Sequence, residues 1–258
     1  MATRNDSSDS ARSLALWVDI EGFSEFYRQG TGDRAMNLMS CLLLDIYRVG
    51  AAFAAADNNR WFVHQFGDGV IICPDNAWLE SLLSAAIALS QSTLSRGGCL
   101  RAAISHGQLA DITHCYREEM LDAAKKSDSK NRLQLAEGGL MTTNPVIGDA
   151  LTKAYSLASK AKLRGPQLLV DIEIENHLIG LNVRKICRGE SFVAIDWIHS
   201  YLSQVSPLLK KMRGPLLPVE TLESNLRKYV SEFGDSLPCE WRAGAAMLLD
   251  SAVPIGPS

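Results

Sequence analysis

A tight turn, Gly67-Asp68-Gly69, constrains the fold more than any other feature of the chain. It lies between two apolar runs, residues 60–66 and 70–73, that are rich in strand-forming residues. Asp-Gly favours the primed turns that join two antiparallel strands directly. The sequence therefore predicts a β-hairpin with Asp68 at its tip.

The elements around this hairpin have a definite order. A strand is predicted over Ser13–Ile20, and three- and four-residue apolar spacing over residues 25–56 predicts one long helix, or two separated near Gly30 and Gly32. The later predicted elements are a helix over 77–94, a strand over 100–105, a helix over 149–162, a strand over 167–172 and one or two strands within 186–196. The order βααββαβ predicts a ferredoxin-like α+β fold, with an antiparallel central hairpin and helices packed on one face of the sheet.

The two ends of the chain differ from this central part. Residues 1–12 are polar and serine-rich, which predicts a disordered tail. Residues 13–198 are predicted to form the main domain, and residues 199–258 a helical extension. In that extension we expect helices over 201–211 and 220–233, followed by a loose end, and the sequence assigns it no function.

Composition excludes only a few functional classes. The chain has 258 residues and a net charge of −3, which argues against a protein that coats nucleic acid through many basic side chains. Its six cysteines form no CxxC pair, which is typical of reduced thiols. The polar start has no secretory apolar segment, and the apolar runs are interrupted too early to cross a bilayer. We therefore expect a cytoplasmic protein that does not enter a membrane.

Two acidic residues stand out by their position. Asp19 ends the first predicted strand and Asp68 lies in the hairpin turn. In a β-α-β-β arrangement the first strand lies beside the hairpin, so the two carboxylates converge at one end of the sheet. Converging carboxylates repel each other unless a hard cation such as Mg²⁺ or Mn²⁺ binds between them. The alternative is structural, with Asp68 as a turn residue and Asp19 as a helix N-cap.

Four segments together resemble the class III nucleotide cyclase domain. They are LWVDIEGFS (16–24), HQFGDGVI (64–71), LRAAISHG (100–107) and VIGDALTKAYSLA (146–158), in the order and spacing of that family. The resemblance extends over roughly residues 14–170. It implies that the chain cyclises a nucleoside triphosphate at sites in a homodimer interface.

The resemblance also implies roles for particular residues. Asp19, Asp68 and the backbone carbonyl of Ile20 would hold two divalent cations, Mn²⁺ or Mg²⁺. The substrate-binding set would include the amides of Gly22, Phe23 and Ser24 at the β- and γ-phosphates, and Gly67 beside the hairpin aspartate. Arg101 matches the strand arginine that contacts the triphosphate in this family.

Three positions depart from the family pattern. His64 stands where adenylate cyclases have a purine-reading lysine, Thr152 where a helix asparagine orients the ribose, and Ser156 where an arginine steadies the phosphorus. Two explanations remain open. The domain is either degenerate, and only binds nucleotide or dimerises, or it is a cyclase that accepts a different base.

The segment IGDALTKAYSLASKAKLRGPQLLV (147–170) is similar to the bacterial pyrimidine cyclases of the Pycsar anti-phage system. This resemblance implies conversion of UTP, in preference to CTP, to a cyclic monophosphate that activates a separate effector protein in defence against phage. The candidate residues for a wall around the smaller base are Phe23, Tyr47, His64 and Tyr155. An adenylate or guanylate cyclase with atypical base contacts and a catalytically silent cyclase-like module are the alternatives.

Overall fold

A computed structural model of the chain describes residues 13–57, 61–74, 78–111, 117–126, 132–134, 140–142, 146–233 and 236–250. The tail predicted at 1–12 lies outside the described residues. The helices are α1 (Phe23–Arg28), α2 (Gly32–Asp57), α3 (Leu79–Ser95), α4 (Glu118–Lys126), α5 (Asp149–Lys160), a 3-10 helix (Ile172–Leu178), α6 (Val205–Met212), α7 (Val219–Phe233) and α8 (Cys239–Asp250).

The described strands form one large sheet and two short ribbons. The strands of the large sheet are β1 (Ser13–Ile20), β2 (Trp61–Phe66), β3 (Gly69–Pro74), β4 (Leu100–Gly107), β9 (Leu168–Asp171), β10 (Arg184–Arg188) and β11 (Phe192–Asp196). The ribbons pair β5 (Ala110–Asp111) with β8 (Val146–Ile147) and β6 (Arg132–Gln134) with β7 (Leu140–Thr142).

Strand β1 is central to the seven-stranded sheet, whose order is β10-β11-β9-β4-β1-β3-β2. It pairs antiparallel with β3 on one side and with β4 on the other. The β2–β3 pair is the predicted hairpin, and β4 and β9 are parallel neighbours. The predicted α+β class, the order βααββαβ and the antiparallel hairpin are therefore confirmed, although the hairpin lies at one edge of the sheet and not at its centre.

Helices pack on both faces of the sheet, so the prediction that all helices lie on one face was wrong. On one face Leu16 and Val18 join a core with residues of α2, α3, α6, α7 and α8. On the other face Ala15 and Trp17 pack with Ala154 and other residues of α5. Since strand side chains alternate between faces, a strand apolar at nearly every position is one that is covered on both sides.

The C-terminal residues share the larger of these two cores. Leu208 and Met212 of α6, Leu226 of α7 and Leu248 of α8 are all buried in the same cluster as β1. Helices α6 and α7 agree with the prediction, but the loose end expected after residue 233 was wrong because α8 lies there. The division of the chain at residue 199 stays a prediction.

Helix α2 is long and apolar enough to cross a membrane by length and composition. The qualifying segment is Gly32–Ala55, with a mean hydropathy of 1.5. The expectation that every apolar run is too short was therefore wrong for this helix. Its residues Leu42, Ile46 and Val49 are buried in the core of the domain, and a core helix meets the same criteria as a membrane span.

The packing of the C-terminal helices predicts unequal effects of two leucine truncations. Leu226 is fully buried, whereas Leu216 is 50% exposed in the segment between α6 and α7. Leu226→Ala should lower the free energy of unfolding by about 2–5 kcal/mol, because it removes buried methyl groups and leaves a cavity. Leu216→Ala should lower it by less than about 0.5 kcal/mol. Urea unfolding measures both, and equal losses would contradict this packing.

Candidate active site

The pairing of β1 brings the predicted acidic residues together. Asp19 is opposite Gly69 of β3 and opposite Arg101 of β4. Gly69 directly follows Asp68 in the hairpin turn, and Gly67 on the other side of Asp68 adopts a positive φ of 62°. Asp19 and Asp68 therefore lie at the same end of the sheet, and both line one pocket.

Asp19 is the most perturbed carboxyl group of this arrangement. One of its oxygens, Oδ1, is buried without a hydrogen-bond partner in the described part of the chain. Burial is the largest cause of a raised pKa at Asp19, and the negative charges of Asp68 and Glu21 add to it. Together these effects raise the pKa from 3.8 to about 7. Arg101 opposes the rise only in part. The arrangement of carboxylates thus has too little positive charge around it, and a divalent cation fits this deficit.

Glu21 is a residue that the sequence analysis did not single out. Its carboxylate lies 3.8 Å from Nη1 of Arg101 and accepts a 2.8 Å hydrogen bond from the indole N–H of Trp241. Burial raises the pKa of Glu21, while Arg101 and Trp241 oppose that rise. The signal for Glu21 was its position directly after β1, two residues from Asp19. Nothing local in the sequence connects it to Trp241, which is 220 residues away.

Arg101 is buried, with 4% of its surface exposed. Its Nη2 donates a 2.6 Å hydrogen bond to the carbonyl of Leu163, and its Nη1 faces Glu21. Burial lowers the pKa of Arg101, which Glu21 counters. Since arginine stays protonated at neutral pH, a fixed positive charge lies beside the Asp19–Asp68 pair.

The turn between β1 and α1 adjoins these groups. Gly22 has a φ of 73°, a left-handed conformation that favours glycine, and its carbonyl accepts the amides of Glu25 and Phe26. The earlier amides of a helix start have no partner within the helix. Ser24 is exposed at this turn, whereas Phe23 is half-buried with its ring 5.5 Å from that of Tyr27.

Two cavities meet at Asp19. The first, the polar cavity of about 730 Å³, is lined by charges of both signs: the basic residues are Arg28, Arg101, Lys162 and Arg164, and the acidic residues are Asp19, Glu21, Glu25 and Glu240. The second, of about 580 Å³, is mostly apolar, and its lining residues are Trp17, Asp19, Phe66, Asp68, Ile71, Leu151, Thr152, Tyr155 and Ser159. In the second cavity the ring of Trp17 makes an edge contact with Tyr155, with 5.0 Å between centroids, and stacks on Phe66. The two cavities together suit a ligand that has an anionic part and an aromatic part, joined close to the carboxylates.

Most of the predicted site residues contribute to these cavities. Those that line one or both are Asp19, Gly22, Ser24, Asp68, Arg101 and Tyr155. Five predicted residues do not line either cavity: Ile20, Phe23, Tyr47, His64 and Gly67. His64 is buried on β2 opposite Ile71. Tyr47 is 74% exposed on α2, which packs on the face of the sheet opposite to the aromatic cavity, so this chain does not bring it to the site.

The two helix positions that depart from the cyclase pattern point to different places. Thr152 lines the aromatic cavity beside Asp19 and Asp68. Ser156 instead lines a third cavity with Lys153 and Glu173. A residue at position 156 is therefore turned away from the carboxylate pair of its own chain.

A second group of possible metal ligands lies near this third cavity. The ligand atoms of His106, Asp171 and Glu173 lie within 4.8 Å of one another. The ammonium group of Lys153 lies 3.0 Å from Glu173, and Asp171 accepts the backbone N–H of Glu173. Since a lysine charge already balances this cluster, the pair formed by Asp19 and Asp68 is the better candidate for a metal centre.

Solved structures that are similar to this chain share little sequence with it. No protein-family model matches the chain, and no curated protein matches it. Two solved structures of a bacterial light-regulated adenylyl cyclase are similar at 10% and 11% identity, with TM-scores of 0.40 and 0.41, over 85% and 78% of this chain. The chain spans 57% of the length of each. The guanylyl cyclase Cya2 is similar at 10% identity and a TM-score of 0.36, over 72% of this chain and 91% of Cya2.

The raised pKa of Asp19 predicts a pH-dependent cost to folding. A carboxyl with a pKa of 3.8 when unfolded and about 7 when folded contributes stability in full below pH 4, and loses it as the pH rises to about 7. In EDTA at about pH 8, Asp19→Asn should therefore be more stable than the wild type, by roughly 2–4 kcal/mol. Near pH 4 the difference should vanish.

Urea unfolding of both proteins across this pH range measures the effect. Asp33→Asn, a change at an exposed residue in the first turn of α2, is the matched control and should change the free energy of unfolding by less than about 1 kcal/mol. An Asp19→Asn protein that is less stable than the wild type at pH 8 would contradict the electrostatic description of the site.

Proposed function

We propose that the chain is a divalent-metal-dependent nucleotide cyclase that converts UTP, in preference to CTP, to the 3′,5′-cyclic monophosphate and diphosphate. The observation that carries this proposal is the position of Asp19. It has a buried oxygen without a hydrogen-bond partner in the described chain, its pKa is raised, and it lies where the polar cavity meets the aromatic one.

The residues present fit a pair of divalent cations. Asp19 and Asp68 supply carboxylate oxygens, the ligands that Mg²⁺ and Mn²⁺ prefer, and the Ile20 carbonyl would complete the set. Cations bound there would lower the pKa of the ribose 3′-hydroxyl and neutralise charge on the phosphate oxygens. In the reaction the 3′-oxygen attacks the α-phosphorus, the bond to the β-phosphate oxygen breaks, and diphosphate leaves.

The polar cavity would hold the triphosphate. Arg101, Lys162 and Arg164 line it, and guanidinium groups match phosphate oxygens in charge and geometry. The amides at the start of α1, beginning at Gly22, lie at the same cavity. These groups bind the substrate and orient its α-phosphate toward the carboxylate pair.

The aromatic cavity would hold the base. Tyr155 and Phe66 are half-exposed in it and Trp17 is buried, and stacking on such rings suits a flat base. The choice of a pyrimidine is supported by His64, Thr152 and Ser156, which replace the purine-cyclase residues, and by the resemblance of residues 147–170 to pyrimidine cyclases.

The proposed enzyme acts as a homodimer, with its sites at the interface between the two subunits. Ser156 is turned away from the carboxylates of its own chain, and Tyr155, which lines the aromatic cavity, is exposed. A partner subunit that covers this face would bury those side chains and add its own groups to the site. The role in anti-phage defence, through an effector that senses the cyclic pyrimidine nucleotide, rests on the same resemblance of residues 147–170.

Product analysis tests the activity. Purified protein is incubated separately with UTP, CTP, ATP and GTP in Mn²⁺ and then in Mg²⁺, and products are identified by mass spectrometry. We expect cyclic UMP as the main product, with a smaller amount of cyclic CMP. Asp68→Ala should lower the rate by at least about a thousandfold, because one carboxylate alone cannot hold both cations.

Asp33→Asn is the control for Asp68→Ala and should keep full activity. Addition of Mn²⁺ should also raise the melting temperature of the wild type but not that of Asp68→Ala, which tests the metal site without turnover. Cyclic AMP or cyclic GMP as the main product would overturn the pyrimidine assignment. Absence of product from all four triphosphates would favour the silent module.

The aromatic cavity gives a prediction for Tyr155. Tyr155→Phe keeps the ring that would contact the base, whereas Tyr155→Ala removes it. Since base–aromatic stacking contributes about 1–3 kcal/mol, Tyr155→Ala should raise KM for the triphosphate roughly tenfold, and Tyr155→Phe by less than about twofold. Steady-state kinetics on UTP distinguish these outcomes, and equal KM values for both variants would place the base elsewhere.

A further inference from the structure

Helix α8 and the residues before it form one side of the polar cavity. Leu237, Pro238, Glu240 and Trp241 line this cavity together with Asp19 and Arg101. These residues lie in the C-terminal extension, to which the sequence assigns no function. The extension therefore contributes directly to the wall of the proposed triphosphate site.

The first contact of α8 is with Glu21. The indole N–H of Trp241 donates a 2.8 Å hydrogen bond to Oε2 of Glu21, and Trp241 itself is 3% exposed. From α7, the hydroxyl of Tyr229 donates a 3.1 Å hydrogen bond to the Glu21 carbonyl. Both ends of Glu21 are thus held by the extension.

The second contact of α8 is with the loop that follows α5. Gly244 lies so close to this loop that a Cβ there would meet the Arg164 carbonyl at 1.8 Å, and one at Gly165 would meet the Trp241 carbonyl at 2.8 Å. Nε2 of Gln167 donates a 2.8 Å hydrogen bond to the Gly244 carbonyl. The helix backbone is therefore in direct contact with the segment that carries Leu163 and Arg164.

These two contacts converge on Arg101. Its guanidinium group contacts the Leu163 carbonyl at 2.6 Å and the Glu21 carboxylate at 3.8 Å. Helix α8 fixes Glu21 directly and packs on the loop next to Leu163. We propose that Trp241 is a positioning residue for the triphosphate: it holds the Glu21 carboxylate away from Arg101, so that the guanidinium group remains available to phosphate oxygens.

The distances explain why the indole hydrogen bond matters. With the Trp241 bond in place, the Glu21 carboxylate lies 3.8 Å from Arg101, longer than a close charged hydrogen bond. Without that bond, Arg101 is the strongest partner left for the Glu21 carboxylate within the described chain, ahead of Arg164, and the two groups draw together. Arg101 is then less available, so the affinity for triphosphate falls while the reacting atoms remain in place.

The inference rests on the proposed cyclase function, and Trp241→Phe tests it. This variant keeps an aromatic ring in the core of α7 and α8 but removes the N–H. We expect KM for UTP to rise about tenfold and kcat to change by less than about threefold. Tyr229→Phe, which releases only the Glu21 carbonyl, should raise KM in the same direction by a smaller factor.

A double variant separates positioning from a general loss of structure. In a Glu21→Gln background no charge competes for Arg101, so adding Trp241→Phe should change KM by less than about twofold. Glu232→Gln is the matched control within the extension. It removes an ion pair between α7 and Arg34 but leaves the hydrogen bonds of Trp241 and Tyr229 to Glu21 in place, so KM should be unchanged.

The outcomes distinguish this inference from the proposed function. A wild type that makes no cyclic nucleotide and binds no triphosphate by calorimetry overturns both. A wild type that cyclises UTP, together with a Trp241→Phe variant of unchanged KM, overturns the positioning role alone. An equal rise in KM in the Glu21→Gln background also overturns it, because Trp241 would then act through the fold rather than through Glu21.

Discussion

The pairing of β1 with its two neighbours is the interaction on which the rest of the structure depends. Because β1 pairs with β3 and β4 at once, Asp19 is opposite both the hairpin turn and Arg101. Both faces of β1 are buried, so a slip of one residue would exchange the two cores and move Asp19 to the other face. The hydrophobic pattern of one strand thus fixes the position of the carboxylates.

Charge balance is the second constraint. Asp19, Glu21 and Asp68 are three acidic groups within mutual electrostatic reach, and Arg101 is the buried positive charge among them. Burial and repulsion both disfavour the ionised form of Asp19, so the folded protein tolerates this cluster at a cost to its stability. A divalent cation would be attracted to the carboxylates of this cluster, and a negatively charged phosphate chain would be attracted to Arg101.

The sequence was sufficient for those features that local patterns determine. The hairpin with Asp68, the break between α1 and α2 and the position of Asp19 all follow from turn chemistry and periodicity. The packing of α5 on the second face was missed, although β1 is apolar at nearly every position, a pattern typical of a strand that is covered on both faces. Helix α8 was missed although Trp241, Ala245 and Leu248 have helical spacing, since the segment is short and follows Pro238.

The residues that sequence analysis missed share a physical cause. Glu21 is recognisable only through its contact with Trp241, a pair separated by most of the chain, and the close approach of α8 depends on the absence of a side chain at Gly244. A glycine within a helix reads as a weakness in sequence, whereas here it permits backbone contact with the Arg164 loop. Contacts of this kind connect the extension to the site: the core that α7 and α8 share with β1 holds Trp241 against Glu21. A change that destabilises the extension would therefore also disturb the geometry around Arg101.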